Sequence, residues 1–311
     1  MGKQGKQGKQ GKQGKQGKQL AEYILVKIFL FIVKICPFTV SSWIGRRLGA
    51  LAFRLLKPRR DLTIENIRSA RERGFLPADT SDYKVAEAAW KNLGMNGSEF
   101  FYYYPLPAHK IRQMITVEGE ENLKRILAKG KGAIMILGHI GNWELIALPL
   151  SQAGYKLCPI VKTQSNSLMN KVIDDYRTSV GMRTIPKTSF LRPIIEAFNR
   201  NEIVPFLMDQ NAGNNGVPLE VFGREAPIPR GPAEFALKNN RPVFFTYIVR
   251  EGFRKHRIVI SEEIELSRTG DYEADLRENT ARFIGMIQGV IAQHPEQWLW
   301  MHKLWPTELR L

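Results

Sequence analysis

Gly132-Ala133-Ile134-Met135-Ile136-Leu137-Gly138-His139-Ile140-Gly141-Asn142-Trp143-Glu144 is the stretch on which the fold reading turns. Its first half is a continuous apolar run closed by glycine, which reads as a buried strand, and α/β sheets hold their ligands at the carboxyl ends of such strands. His139 stands at that end. On an unbroken helix, five residues turn through about 500°, so His139 and Glu144 would point apart. Gly138 and Gly141 permit the bend that could bring them together, and Asn142 is a favoured N-cap for a helix over 143–151 with Glu144 in its first turn. In that geometry the Glu144 carboxylate holds one imidazole nitrogen and leaves the other aimed at a substrate hydroxyl. His139 and Glu144 are therefore the candidate catalytic pair, a general base and its orienter. A strand-end histidine bonded only to backbone is the alternative.

The 311 residues, 43% of them hydrophobic, suffice for one main core. Cys36 and Cys158 give neither a disulfide framework nor metal-ligand spacing, so no metal site and no cofactor is expected. The net charge is +16. Six of the 46 basic residues lie in the six Gly-Lys-Gln copies of residues 2–19, and the remaining chain still holds 40 basic against 30 acidic groups. A basic body attracts nucleic acid, anionic lipid or an acidic protein. With no zinc finger, aromatic RNA-binding signature or basic recognition helix, nucleic acid is not an expected partner.

The chain divides into a disordered polybasic tail (1–19), membrane-associating helices (20–60) and a catalytic domain (61–311). Residues 20–36 are apolar but carry Glu22, Lys27 and Lys34, so a helix lying in an anionic membrane surface fits better than one crossing the bilayer. Trp43, Arg46, Arg47, Lys57, Arg59 and Arg60 add an aromatic and basic fringe. An amphipathic helix packed on the domain is the other reading. Residues 61–104 are helical in pattern. Short apolar runs at 132–137, 156–161, 183–185, 203–208 and 242–249 then alternate with amphipathic stretches, which predicts an α/β fold with a mostly parallel central sheet flanked by helices. Residues 247–251 and 255–261 predict an antiparallel hairpin at one edge, and 271–293 a long final helix.

Such a sheet also brings the residues after its other strands to the active edge. These are Lys162 after Val161, Asp209 and Gln210 after Met208, and Arg230-Gly231 opening a helix. The cations suit phosphate or an anionic sugar, and Asp209 and Gln210 suit hydroxyls. With Arg177 and Asn142 they form the candidate substrate-binding set.

Four motifs in order extend the reading: Gly138-His139 with Trp143-Glu144; Phe206-Leu207-Met208-Asp209-Gln210; Val221-Phe222-Gly223-Arg224-Glu225-Ala226 with Arg230-Gly231-Pro232; and Pro295-Glu296-Gln297-Trp298-Leu299-Trp300-Met301-His302. Over roughly residues 20–305 the chain resembles the lipid A biosynthesis late acyltransferases. That resemblance implies an enzyme on the cytoplasmic face of a Gram-negative inner membrane. It would move a fatty acyl chain from acyl carrier protein, sometimes coenzyme A, to a hydroxyl on a lipid A precursor. His139 and Glu144 match the family's His-x4-acid motif. Lys162 stands where the family often has Arg, and the Gly-Lys-Gln tail lies outside the family pattern.

The expected mechanism is direct transfer. His139, held by Glu144, takes the hydroxyl proton as the oxygen attacks the thioester, and backbone donors near Asn142 meet the oxyanion. Neither Cys158 nor a serine elbow adjoins the motif, so no covalent intermediate is invoked. An acyltransferase with another glycolipid or glycerolipid acceptor, or a catalytically silent membrane-surface module, are the alternatives.

Overall fold

The computed structural model describes residues 19, 23–24, 26–28, 30–33, 35–161, 166–186 and 191–305. The tail up to Lys18 and the candidate ligand Lys162 lie outside them. Described positions from Gln19 to Ile35 are helical. Four helices follow: α1 (Phe38–Leu55), α2 (Lys57–Glu72), α3 (Asp82–Tyr103) and α4 (Ala108–Met114). The expected helical stretch 61–104 is thus two helices, parted at Gly74, whose φ of 79° ends the first.

The α1–α3 crossing explains what lies outside. A Cβ on Gly94 would stand 2.1 Å from the Gly45 carbonyl oxygen, and one on Gly49 would stand 2.2 Å from that of Trp90, so only small residues allow this approach. Ser41, Ser42, Gly45 and Gly49 fill the inner face of α1 between Phe38 and Phe53, while Trp43, Leu48, Leu51 and Leu55 face outward. Trp43 is 56% exposed and Leu55 68%, and Arg46, Arg47 and Arg54 lie among the exposed positions. Among the described residues, no helix is long and apolar enough to cross a membrane.

The chain continues with β1 (Ile115–Glu118), α5 (Glu120–Leu127), β2 (Ala133–Leu137), a 3-10 turn (Trp143–Leu145), α6 (Ala147–Gln152), β3 (Ile160–Val161), α7 (Ser167–Ser179), β4 (Ile185–Pro186), α8 (Arg192–Asn199) and β5 (Ile203–Leu207). Then come β6 (Gly216–Val221), β7 (Arg224–Pro229), α9 (Gly231–Asn239), β8 (Val243–Gly252), β9 (Lys255–Glu263) and α10 (Tyr272–Gln293). The central sheet has the order β1-β9-β8-β2-β5, parallel except for the β8/β9 hairpin. The α/β fold, its mostly parallel sheet and the hairpin match the sequence reading.

The hairpin is not at an edge. Strand β9 pairs in parallel with β1 on its far side, so β1 closes the sheet there. The apolar run 156–161 also contributes less than expected: only Ile160 and Val161 form a strand, and β3 pairs with β4 in a separate two-stranded sheet. Every β2 residue is buried. Ile134 and Ile136 enter the core cluster that contains α10, while Ala133, Met135 and Leu137 enter the one on the opposite face, as a strand covered on both sides requires. Asp271 caps α10 by accepting from the backbone N–H groups of Glu273 and Ala274, which fixes the start of the long final helix.

Candidate active site

Strands β2 and β5 run parallel with Leu137 opposite Leu207. Two residues beyond each lie His139 and Asp209, so the register itself sets these side chains next to each other. His139 Nδ1 is 2.7 Å from Asp209 Oδ1, and the His139 backbone N–H donates to Asp209 Oδ2 at 2.6 Å. Trp298 Nε1 donates to the same Oδ2 at 2.7 Å. The carboxylate is 2% exposed. Burial alone would push its pKa up. Attraction to the imidazole and the hydrogen bonds from His139 and Trp298 outweigh this and hold Asp209 below the usual carboxylate range. An ionised carboxylate only accepts, so His139 carries its proton on Nδ1 and keeps the Nε2 lone pair for chemistry.

Two glycines make room for this arrangement. A Cβ on Gly138 would stand 3.2 Å from Asp209 Oδ2 and 2.8 Å from Ile287 Cγ2. Gly141 has φ 56°, and a Cβ there would meet the Ile248 carbonyl oxygen at 2.2 Å. The glycine-enabled bend of the sequence reading is present, but it serves a different partner.

Glu144 is not the orienter of His139. Both its oxygens accept from Arg177 Nη2, at 3.0 and 3.2 Å, and the backbone carbonyl of Glu144 accepts from the Tyr104 hydroxyl at 3.1 Å. The physical reason is the short 3-10 turn, which replaces the start of the expected helix and is followed by α6 only from Ala147. Trp143, not Glu144, packs on the imidazole, with ring centroids 4.9 Å apart. Arg177, expected at substrate, is the ion partner of Glu144.

Asn142 also departs from its expected role. Its side chain makes no N-cap hydrogen bond and is 1% exposed. It donates instead to the Asn96 carbonyl at 3.2 Å and to Glu99 Oε2 at 3.0 Å. Glu99 is wholly buried, accepts a close contact from Arg250 Nη1, and lies 3.4 Å from His256 Nε2. Burial raises its pKa, but His256 and Arg250 prevail and bring it down to about 2. Asn96 donates to the Gly141 carbonyl at 2.5 Å, so this buried hub clamps the turn that carries His139 from beneath.

Gln210 lies against the His139 imidazole. Its amide nitrogen is 3.1 Å from His139 Nε2 and 3.0 Å from His302 Nε2. Arg230 contacts Glu234 at 3.4 Å and Glu273 at 3.7 Å, and none of its recorded contacts reaches the His139 cluster. Gly231 opens α9 near the Phe206 ring. Among the described residues no group of acidic, histidine and cysteine side chains could hold a metal ion. Two surface cavities, of about 430 and 580 Å³, are lined by other residues, the first beside α10 and β6 and the second around Lys131, Arg241 and Arg268.

Sequence reasoning missed Trp298 and His302 as site residues, although it quoted the motif that holds both. Ile140 pairs antiparallel with Trp298, and the Gly141 N–H donates to the Gln297 carbonyl at 2.9 Å, so this late segment lies along the turn that follows His139.

The arrangement is a histidine held by a buried carboxylate at the end of a parallel strand, set within four ordered motifs. The family model of bacterial lipid A biosynthesis acyltransferases matches residues 12–307. The chain belongs to this family. It is an acyltransferase, as its relatives are named. It is 26% identical to the lipid A biosynthesis palmitoleoyltransferase of Escherichia coli (strain K12) over 284 residues, covering 87% of this chain and 86% of the relative. It is equally identical to the phosphatidylinositol mannoside acyltransferase of Mycobacterium tuberculosis (strain CDC 1551 / Oshkosh) over 247 residues, or 77% of this chain and 76% of the relative. The phosphatidylinositol mannoside acyltransferase of Mycolicibacterium smegmatis is 24% identical over 244 residues, covering 77% of this chain and 78% of the relative.

Proposed function

We propose that this acyltransferase moves a fatty acyl chain from the thioester of acyl carrier protein to a hydroxyl of a lipid A precursor, at the cytoplasmic face of a Gram-negative inner membrane. The observation that carries the chemistry is the ionised, buried Asp209 on Nδ1 of His139. Nε2 takes the proton of the acceptor hydroxyl while that oxygen forms a bond to the thioester carbonyl carbon. The tetrahedral intermediate then collapses, the carbon–sulfur bond breaks, and the thiolate leaves with the proton that His139 returns. No acyl-enzyme is needed. A base so placed is worth about 100- to 10,000-fold.

Glu144, fixed by Arg177, presents a partly exposed carboxylate five residues after the base, suited to a second hydroxyl of the acceptor. Arg230 and Lys162 supply cations for phosphate. The outward apolar and basic face of α1 supports seating on an anionic membrane, and the surplus of basic over acidic residues supports an acidic protein donor. Raising salt is expected to weaken use of the carrier-protein donor more than it weakens folding.

The equal identity to a phosphatidylinositol mannoside acyltransferase favours a second reading, in which the acceptor is a mannosylated glycerolipid. Purified protein offered acyl carrier protein and coenzyme A thioesters of graded length, with each acceptor in turn, separates the two. The lipid A reading requires mass gain of one acyl chain on a tetra-acylated glucosamine disaccharide. Acylation of the mannoside alone would replace it with the second reading, and thioester turnover with neither would refute both acceptors.

A further inference from the structure

We propose that His302 is a positioning residue for the acyl transfer, acting through Gln210 to keep His139 in its reactive form. This rests on the reading of His139 as the base and names a group that controls it. Asp209 on Nδ1 leaves Nε2 of His139 as an acceptor, so the Gln210 group 3.1 Å away must present an N–H. An amide nitrogen has two hydrogens. The second points to His302 Nε2 at 3.0 Å, which must therefore also be a lone pair. One amide thus requires both imidazoles to be neutral and unprotonated at Nε2.

The consequence is a link between the two rings, whose centroids are 5.7 Å apart. When an acceptor hydroxyl takes the Nε2 position on His139, the amide keeps its hydrogen bond to His302 and stays beside the reacting atoms. If His302 gains a proton, Nε2–H becomes a donor and the amide must turn its oxygen to it. That orientation offers no N–H towards His139, so the resting hydrogen bond that marks the reactive tautomer is lost. The charged and titratable groups facing His302 are His139 and Asp209 from the strand ends and Arg59 from α2, which also donates to the neighbouring Met301 carbonyl at 3.1 Å. Burial first, then His139, lowers the pKa of His302 against the opposing pull of Asp209, which keeps the ring neutral near pH 7. Asn66 of α2 donates to the carbonyls of Trp300 and His302 at 2.9 and 3.4 Å, so the segment is fixed independently of the imidazole.

The test compares wild type with His302→Asn, Gln210→Ala and the double variant. In wild type log kcat should fall more steeply on the acid side than in His302→Asn, because protonating His302 turns the Gln210 amide away from His139. The kcat of His302→Asn should drop about five- to tenfold, the worth of one neutral hydrogen bond, with KM unchanged. On the Gln210→Ala background the same change should cost less than about twofold, because the link is already cut. Equal slopes in wild type and His302→Asn, or an undiminished effect without Gln210, would overturn the proposal. Nitrogen-15 NMR of the histidines needs no turnover: both Nε2 atoms should report as unprotonated acceptors, and His302→Asn should move the His139 signal. An unmoved signal in a folded variant also overturns it. Loss of all transfer in wild type would instead strike the functional reading, leaving the NMR result to decide this one.

Discussion

Replacing Asp209 by Asn keeps the shape of the side chain and changes only what its two ends can do. In the native site Oδ2 accepts from the His139 backbone N–H and from Trp298 Nε1, while Oδ1 faces His139 Nδ1. An amide has one accepting end. If the oxygen stays with the two donors, the NH₂ faces Nδ1, and the imidazole must move its proton to Nε2, where the lone pair is needed. The reverse orientation preserves the reactive tautomer but sets NH₂ against two buried donors. Leaving a buried donor without a partner costs about 1–3 kcal/mol, so the unreactive tautomer is favoured by roughly 2–6 kcal/mol. Each 1.36 kcal/mol is tenfold, which puts the loss of reactive enzyme between about 30-fold and 25,000-fold. Once His139 ceases to act, the loss is capped by the whole value of a general base, about 100- to 10,000-fold. The assay is initial-rate acyl transfer from a thioester to a glycolipid hydroxyl, with nitrogen-15 NMR reporting which imidazole nitrogen is protonated. Transfer within threefold of wild type, with Nε2 still unprotonated, would refute the argument that Asp209 sets the tautomer.

Glu144→Gln should behave differently, because Glu144 bonds Arg177 and not the base. The tautomer of His139 should be unchanged, and loss of this partly exposed pair should alter stability by no more than about 1 kcal/mol in thermal melts. Gly141→Ala places a Cβ 2.2 Å from the Ile248 carbonyl oxygen at a φ of 56° and should destabilise the fold by about 3 kcal/mol or more, read from urea unfolding. Glu99 has its folded pKa depressed from 4.5 to about 2. Its stabilising contribution, on the order of 3 kcal/mol, is therefore fully present above about pH 4.5 and is lost as pH falls towards 2. Acid unfolding of Glu99→Gln should show a flatter pH dependence across that window than wild type.

How far the sequence could be read follows from what kind of contact each feature depends on. Strand β2 and the extent of α10 were legible because an unbroken apolar run and a long amphipathic stretch are local signals. The motif around His139 was legible as a site for the same reason. Its orienter was not. Spacing along the chain drew attention to Glu144, five residues away, while the true partner lies 70 residues on and is delivered by the parallel register of two strands. The usable signal was that each of the runs 132–137 and 203–208 is followed within two residues by a polar side chain, His139 and Asp209. Asn142 was read as a cap from its residue type, yet the buried hub of Glu99, Asn96 and Arg250 claims its amide, and pairings of that sort leave no periodic trace. The hairpin was visible as a hairpin. That β1 covers its outer strand could not be seen, because β1 and β9 are separated by most of the domain.

The most direct measurement is acyl transfer by His139→Ala beside wild type, with folding checked by circular dichroism and both thioester consumption and product mass followed. A folded variant whose transfer is at least about 100-fold slower is the expected result. Wild-type turnover from a protein lacking that imidazole would contradict the assignment of His139 as the base.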